Sequence, residues 1–311
     1  MKKRNPSLYK IVFVGVAVIA VAICCTKKTG SQEESVLSGE ATFYVDESIF
    51  PIVEDVRDVF LSDYRAKINL IAKPESEVVN ALLSDKTKVV ILPRKLTVKE
   101  NEILASRHIN PKITEFGTDA VAFITHKNSK DTLADLQEAI NVMQGKPSLM
   151  KKLVFENPNS GTVSIMNNLA GTNTNSLHDN VYSMKSAEEV LKYISGNPDA
   201  VGVVGINIIL QPDAKCQELV NNIKVMAVRN VKNQKNDSAY YKPNQSNIAL
   251  GLYPITRKLY MLNFQGTAGL GMGFASFIAG ERGQRIILKS GLLPVRIPSR
   301  NITIRKDINT K

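Results

Sequence analysis

Apolar residues fall along this chain in two rhythms, short unbroken runs and stripes spaced three and four apart, the pattern of buried strands separated by amphipathic helices. Residues 41–45 read as a strand, and Pro51, suited to a first helical turn, opens a segment with Ile52, Val56, Val59 and Phe60 on one face. Residues 68–72 form the next strand, a helix follows through Val78, Val79, Leu82 and Leu83, and residues 89–92 form a third strand. Thr97 and Glu100 have the spacing of a capping box for a helix carrying Ile103 and Leu104. These strands are apolar throughout rather than alternating, so both faces of their sheet are expected to be covered, as in a parallel α/β sheet.

Residues 113–116 and 120–125 read as two further strands, after which the logic restarts. Thr132 and Asp135 are placed to cap a helix carrying Leu133, Leu136, Ile140 and Met143 that stops at Gly145. Residues 152–155 read as a strand, 163–169 as a helix, Ser186 with Glu189 as a capping box, and 201–204 and 223–228 as strands. The polar stretch 230–247 is expected to be a long surface loop. A closing run couples strands at 248–252 and 258–262 to two helices. The first carries Phe274, Phe277 and Ile278, the second spans 284–289, and Gly291 and Pro294 end the pair. A second α/β set nested between two halves of the first implies a discontinuous first lobe, 41–125 plus 249–311, a second lobe, 126–248, and two crossings between them. No internal repeat at a fixed period is present.

Composition bounds the size of the core. With 311 residues, 43% hydrophobic content, 13 Pro and 18 Gly, the chain can bury one large core or two of ordinary domain size. At the N-terminus, Lys2, Lys3, Arg4 and Lys10 precede an uncharged run, residues 11–25. At helical rise that run reaches about 22 Å, short of a bilayer core of about 30 Å. It therefore reads as a secretory signal, 1–24, cut before a cysteine as in bacterial lipoproteins. Small residues at Ala22 and Cys24 favour acylation of Cys25, with Cys24 the alternative, and 25–40 reads as a polar tether. Only Cys216 remains in the folded part, so no internal disulfide is expected. The net charge of +11, less the four cations of the signal, leaves about +7, which suits anionic ligands. The cations are scattered, there is no Trp and aromatics are 6%, which argues against nucleic acid.

Ligands of open α/β sheets lie beyond the carboxyl ends of the strands, where helix N-termini point free N–H groups into a crevice. Four loops qualify. Asp46-Glu47-Ser48 offers the Ser48 hydroxyl and the amides after it, although a simple helix cap reads equally well. Arg94 follows a buried strand and carries a planar fork that matches two oxygens of a tetrahedral anion, the alternative being a surface ion pair. Asp119 lies between two strands; it is either a turn residue or an acceptor that favours a ligand still carrying a proton. Ser160, Gly161 and Thr162 supply two hydroxyls, close backbone approach and the amides of a helix start. The three histidines, His108, His126 and His178, are far apart with no metal-ligand spacing, so neither metal nor cofactor is expected. No G-x-S-x-G elbow occurs, and residues 269–273 have the wrong glycine spacing for a dinucleotide loop.

These loops and the closing run together resemble the phosphate-binding lipoproteins of bacterial phosphate ABC transporters, the PstS family of the periplasmic binding protein superfamily. The residues that carry the likeness are 46–48, 90–97, 118–124, Asn159-Ser160-Gly161-Thr162, 200–205 and 283–294, so it covers nearly all of the chain after the tether. The resemblance implies a two-lobed Venus-flytrap fold that closes on one phosphate and passes it to membrane permease subunits. It implies that Ser48, Ser160, Gly161 and Thr162 donate to phosphate oxygens, that Arg94 neutralises charge and that Asp119 accepts the ligand's proton. It also implies a monomer held to the membrane only by lipid, on the periplasmic side, and no catalysis. The chain departs from the family at Pro93, which replaces a small hydroxyl residue, and in the missing Arg or Asp beside the Ser-Gly-Thr loop. Sulfate, molybdate or a sensing role stay open, as does, from another class, a lipid-anchored hydrolase.

Overall fold

A computed structural model describes residues 35–108, 111–172 and 178–298. The expected signal segment, Cys24 and Cys25 lie outside them. The first sheet half is built from β1 (Gly39–Asp46), β2 (Ala66–Lys73), β3 (Val89–Leu92) and β11 (Thr256–Asn263), and the second from β6 (Leu153–Phe155), β7 (Val181–Ser183) and β8 (Val201–Gly205). Both hang on the 15-residue β4 (Lys112–His126), giving the order β2-β1-β3-β11-β4-β8-β6-β7. Its first part pairs antiparallel with β11 up to Ala120, and Val121–Ile124 pair antiparallel with β8. β9 (Ile223–Val225) and β12 (Leu293–Pro294) also pair with β4, while β5 (Leu133–Asp135) and β10 (Ala227–Arg229) form a separate parallel ribbon.

The apolar strand runs are covered on both faces. In β3, Val89 and Ile91 point into one core cluster and Val90 and Leu92 into another, the two-residue period of a strand buried twice. Helix α1 (Phe50–Asp63) packs Phe60 between Phe274 and Phe277 of α10 (Leu270–Ala279), edge to face, with ring centroids 5.5 and 5.3 Å apart. On the opposite face lie α2 (Glu75–Leu83) and α3 (Val98–Ala105), the latter opened by the expected Thr97–Glu100 capping box. In the second half, α5 (Gly161–Ala170) and α6 (Ala187–Gly196) take opposite faces, Met166 belonging to one cluster and Leu191 to the other. Among the described residues no helix is long and apolar enough to cross a membrane.

Four local expectations are corrected. The strands expected at 113–116 and 120–125 are one, because Arg257, Lys258 and Leu259 of β11 carry the ladder straight past Asp119, Thr118 and Gly117. Residues 248–252 are not a strand: Asn244 caps the short helix α9 (Gln245–Ala249) by accepting from the Asn247 amide, and Gly251 turns the chain at φ +66. Asp135 does not cap a helix with its side chain. It receives the Arg229 guanidinium at 2.6 and 3.0 Å, which keeps Leu133–Asp135 extended against β10, and the helix α4 (Leu136–Met143) begins after it. The strand expected over 223–228 is split at Met226 between β4 and β5 as partners.

Candidate functional site

Three strands, β1 and β3 of one sheet half and β6 of the other, run out into charged residues at their carboxyl ends: Asp46, Arg94 (after Pro93) and Glu156. Asp46 and Glu156 are joined at the middle of the molecule by Asp119 of β4 and Arg257 of β11, and all four are essentially buried. Contacts between the sheet halves close over this centre. The Ile52 amide donates to Asn207 Oδ1 at 3.0 Å, and the Ser76 amide to the Asn159 carbonyl at 3.3 Å.

The Asp46 carboxylate spans the closure. Oδ1 accepts from the Ser48 amide at 2.9 Å and from the Ser48 hydroxyl, and Oδ2 accepts from the Gly161 amide at 3.2 Å. Gly161 is the first residue of the ten-residue α5, so the carboxylate sits where the helix gathers unpaired N–H groups and positive end charge. Glycine is required here. A Cβ at 161 would lie 2.6 Å from Pro93 Cγ, 2.9 Å from Glu75 Oε2 and 3.1 Å from Asp46 Oδ2. Ser160 caps α5 by accepting from the Val163 amide at 3.3 Å, and the fully buried Thr162 hydroxyl lies 3.5 Å from Arg257 Nη1.

Arg257 and Asp119 face each other in register on adjacent strands. The guanidinium donates twice to Asp119 Oδ2, at 2.9 and 2.7 Å, while Asp119 Oδ1 is buried without a hydrogen bond. Burial raises the Asp119 carboxyl above its usual range, with Arg257 pulling the other way. Asp46 is raised for the same reason, opposed by Arg257 and by its bonds from Ser48 and Gly161. Burial works against the Arg257 cation, but Asp119 and Asp46 more than offset it and its pKa moves up. Glu156 is pushed up to about 7 by burial, against the pull of Thr162 and Arg257. Burial, with Glu156 and Asp46 adding to it, also takes Glu47 to about 7.

Of the six residues singled out from the sequence, Ser48, Asp119, Ser160, Gly161 and Thr162 converge on this centre. Arg94 does not reach the amide of Gly161. Its Nε donates to Glu75 at 2.7 Å and its Nη atoms to Glu100 at 2.8 and 2.9 Å, so two carboxylates hold its charge and Glu75 stands between it and Gly161. The reading of Arg94 as a surface ion pair describes it better than a fork free for an anion. Sequence reasoning missed Asp46, Glu75, Glu156 and Arg257. Asp46 and Glu156 carry the signal that singled out Arg94, a charged residue closing a buried strand. Arg257 is a lone cation among the inward-facing positions of β11, opposite a carboxylate.

A family model described as a PBP superfamily domain matches residues 30–282. Among solved structures, a protein assigned as a phosphate ABC transporter substrate-binding protein from Clostridium perfringens, with bound phosphate, aligns with a TM-score of 0.68 at 18% identity. The alignment covers 83% of this chain and 100% of that one. An ABC-type phosphate transport receptor from Vibrio cholerae aligns with a TM-score of 0.61 at 15% identity, covering 82% of this chain and 100% of that one. No curated protein matches. At these identities the likeness establishes the fold, which is the expected two-lobed periplasmic binding protein architecture of mixed α/β type.

Proposed function

The chain belongs to the periplasmic binding protein (PBP) superfamily, and from that premise we propose that it captures inorganic phosphate in the cleft between its lobes and delivers it to an ABC transporter. The observation that carries this reading is the Asp46 carboxylate on the Gly161 amide: the head of α5 already holds an oxyanion, supplied by the chain itself. Phosphate exchanges with that carboxylate. Its oxygens then accept from the Gly161 amide and from the hydroxyls of Ser48, Ser160 and Thr162. Arg257 supplies the positive charge first assigned to Arg94, and Asp119 Oδ1, buried and unpartnered, accepts a phosphate O–H. The structural relatives from Clostridium perfringens and Vibrio cholerae, described as phosphate-transport proteins, support the same ligand.

In this account the lobes are 41–125 plus 249–311, of which 299–311 lie outside the described residues, and 126–248, and the cleft lies between them. In this reading the protein binds its ligand and does not catalyse. It acts as a monomer on the periplasmic side of the membrane, tethered by lipid on Cys25 and docking to permease subunits. Calorimetric titration with phosphate, sulfate and molybdate at one ionic strength tests the ligand. Saturable one-to-one binding of phosphate is expected, with a preference over sulfate of at least about a hundredfold, roughly 2.7 kcal/mol. Equal affinity for all three anions would contradict the role given to Asp119.

A further inference from the structure

Beside the Gly161 seat lies a second and quite different cavity of about 590 Å³, within the ordinary range for a small-molecule site. The start of α1 forms one wall. Glu156, the start of α6 and the segment around α7 (Ile206–Leu210) and α8 (Cys216–Val220) form the rest. Six of its lining residues are acids, Glu47, Glu54, Asp55, Glu156, Glu188 and Asp213, and none is a Lys or Arg. Between them stand apolar walls that include Phe50 and Ile208.

Four of these acids have partners, Glu156 among them, since Thr162 and Ser160 hold its other oxygen. Glu54 meets Arg57 at 3.1 Å, Asp55 accepts from Gln211 Nε2 at 2.5 Å, and Asp213 accepts from the amides of Lys215 and Cys216. Glu156 and Glu47 differ from the rest in one oxygen. Glu156 is 1% exposed, yet its Oε1 accepts no hydrogen bond, and Glu47 Oε1 is likewise buried and unpartnered. A buried carboxylate oxygen without a donor is costly and marks a place where a donor from outside the chain belongs. Nearby cations do not serve it: Lys73 is bound to Glu77 outside the cavity, and Arg257 is bound to Asp119.

We propose that this cavity binds a small organic cation, an amine with a methylene body, whose ammonium group donates to Glu156 and Glu47 while its carbon chain lies on the apolar walls. A bare metal ion is not the match, because among the described residues no group of His, Cys, Asp and Glu side chains is arranged to hold one. An ammonium brings three donors on a flexible stem, which suits carboxylates reached from opposite walls.

The test is calorimetry on the mature chain in phosphate-free buffer with putrescine and lysine as probes, and in parallel with phosphate alone. Putrescine is expected to bind saturably, and Glu156→Gln, which keeps the shape, is expected to weaken it at least tenfold. Glu188→Lys, on the exposed rim, is expected to weaken it as well. Heat with phosphate but with neither amine overturns this inference and leaves the oxyanion reading standing. Heat with an amine but not with phosphate supports it and removes the oxyanion reading. Amine binding that both substitutions leave unchanged places the cation elsewhere and overturns the proposal.

Discussion

Asp46 and Gly161, 115 residues apart in sequence, are joined by a hydrogen bond of 3.2 Å from the glycine amide to the aspartate carboxylate. The bond ties the end of the first strand of one sheet half to the start of a helix in the other. It joins the two sheet halves, and on the proposed function Asp46 is both a clasp on the cleft and a competitor for the anion that enters.

Removing the competitor separates these roles. Asp46→Ala is expected to tighten phosphate binding roughly tenfold, about 1.4 kcal/mol, while costing about 1 kcal/mol of stability through loss of the cap that Asp46 gives to Glu47–Ile49. Phosphate titration and urea unfolding of the same variant read both effects. Weaker phosphate binding would mean that Asp46 helps to build the seat.

Arg257 and Asp119 form a buried pair, and breaking such a pair leaves a stranded charge. Asp119→Leu is expected to destabilise the protein by about 3–5 kcal/mol, and the double replacement Asp119→Leu with Arg257→Leu to recover much of that loss. Chemical unfolding of the two singles and the double decides it. Additive losses would show that the two side chains do not depend on each other.

Much of this architecture was legible in the sequence, because two-sided burial writes continuous apolar runs and amphipathic helices write three- and four-residue spacings. The Ser160-Gly161-Thr162 loop and Asp119 were legible for a related reason: polar residues stood where buried strands end or a helix begins. Several of the errors share a cause, which is long-range pairing, whereas 248–252 was lost to a local cap and turn, Asn244 on the Asn247 amide and Gly251. Nothing local tells that Arg257 holds Asp119 in an unbroken strand, or that Arg229 takes Asp135 away from helix capping. Arg94 failed in the same way, since Glu75 and Glu100 come from other elements to claim it. Asp46 and Glu156 were passed over because an anion-binding reading gives weight to cations. The strand-end position speaks for either sign.

The buried acids make stability depend on pH. Glu156 is ordinary in the unfolded chain, near 4.5, and is raised to about 7 by burial when folded. The folded state therefore holds a proton that the unfolded state has lost between those values, so stability is full below about pH 4.5 and falls as pH rises to about 7. Glu156 contributes at most about 3 kcal/mol to that fall, and the half-exposed Glu47 adds less in the same direction. Urea midpoints at pH 5 and pH 8 are expected to be higher at pH 5, with the gap smaller in Glu156→Gln. A midpoint that rises with pH would contradict this.

Cys25 is expected to carry the membrane anchor. Metabolic labelling with a fatty acid should mark the wild type and leave Cys25→Ser unmarked. Continued labelling of that variant would move acylation to Cys24.

The central claim is that the head of α5 is an oxyanion seat that phosphate takes over from Asp46. Its most direct test is calorimetric titration of phosphate into the wild type and into Thr162→Val, which keeps the side-chain shape and deletes one buried hydroxyl beside Gly161. The account predicts one phosphate per chain for the wild type and an affinity about tenfold lower in the variant, the worth of one hydrogen bond to an anion. No saturable binding to the wild type, or equal affinity in both proteins, would contradict it.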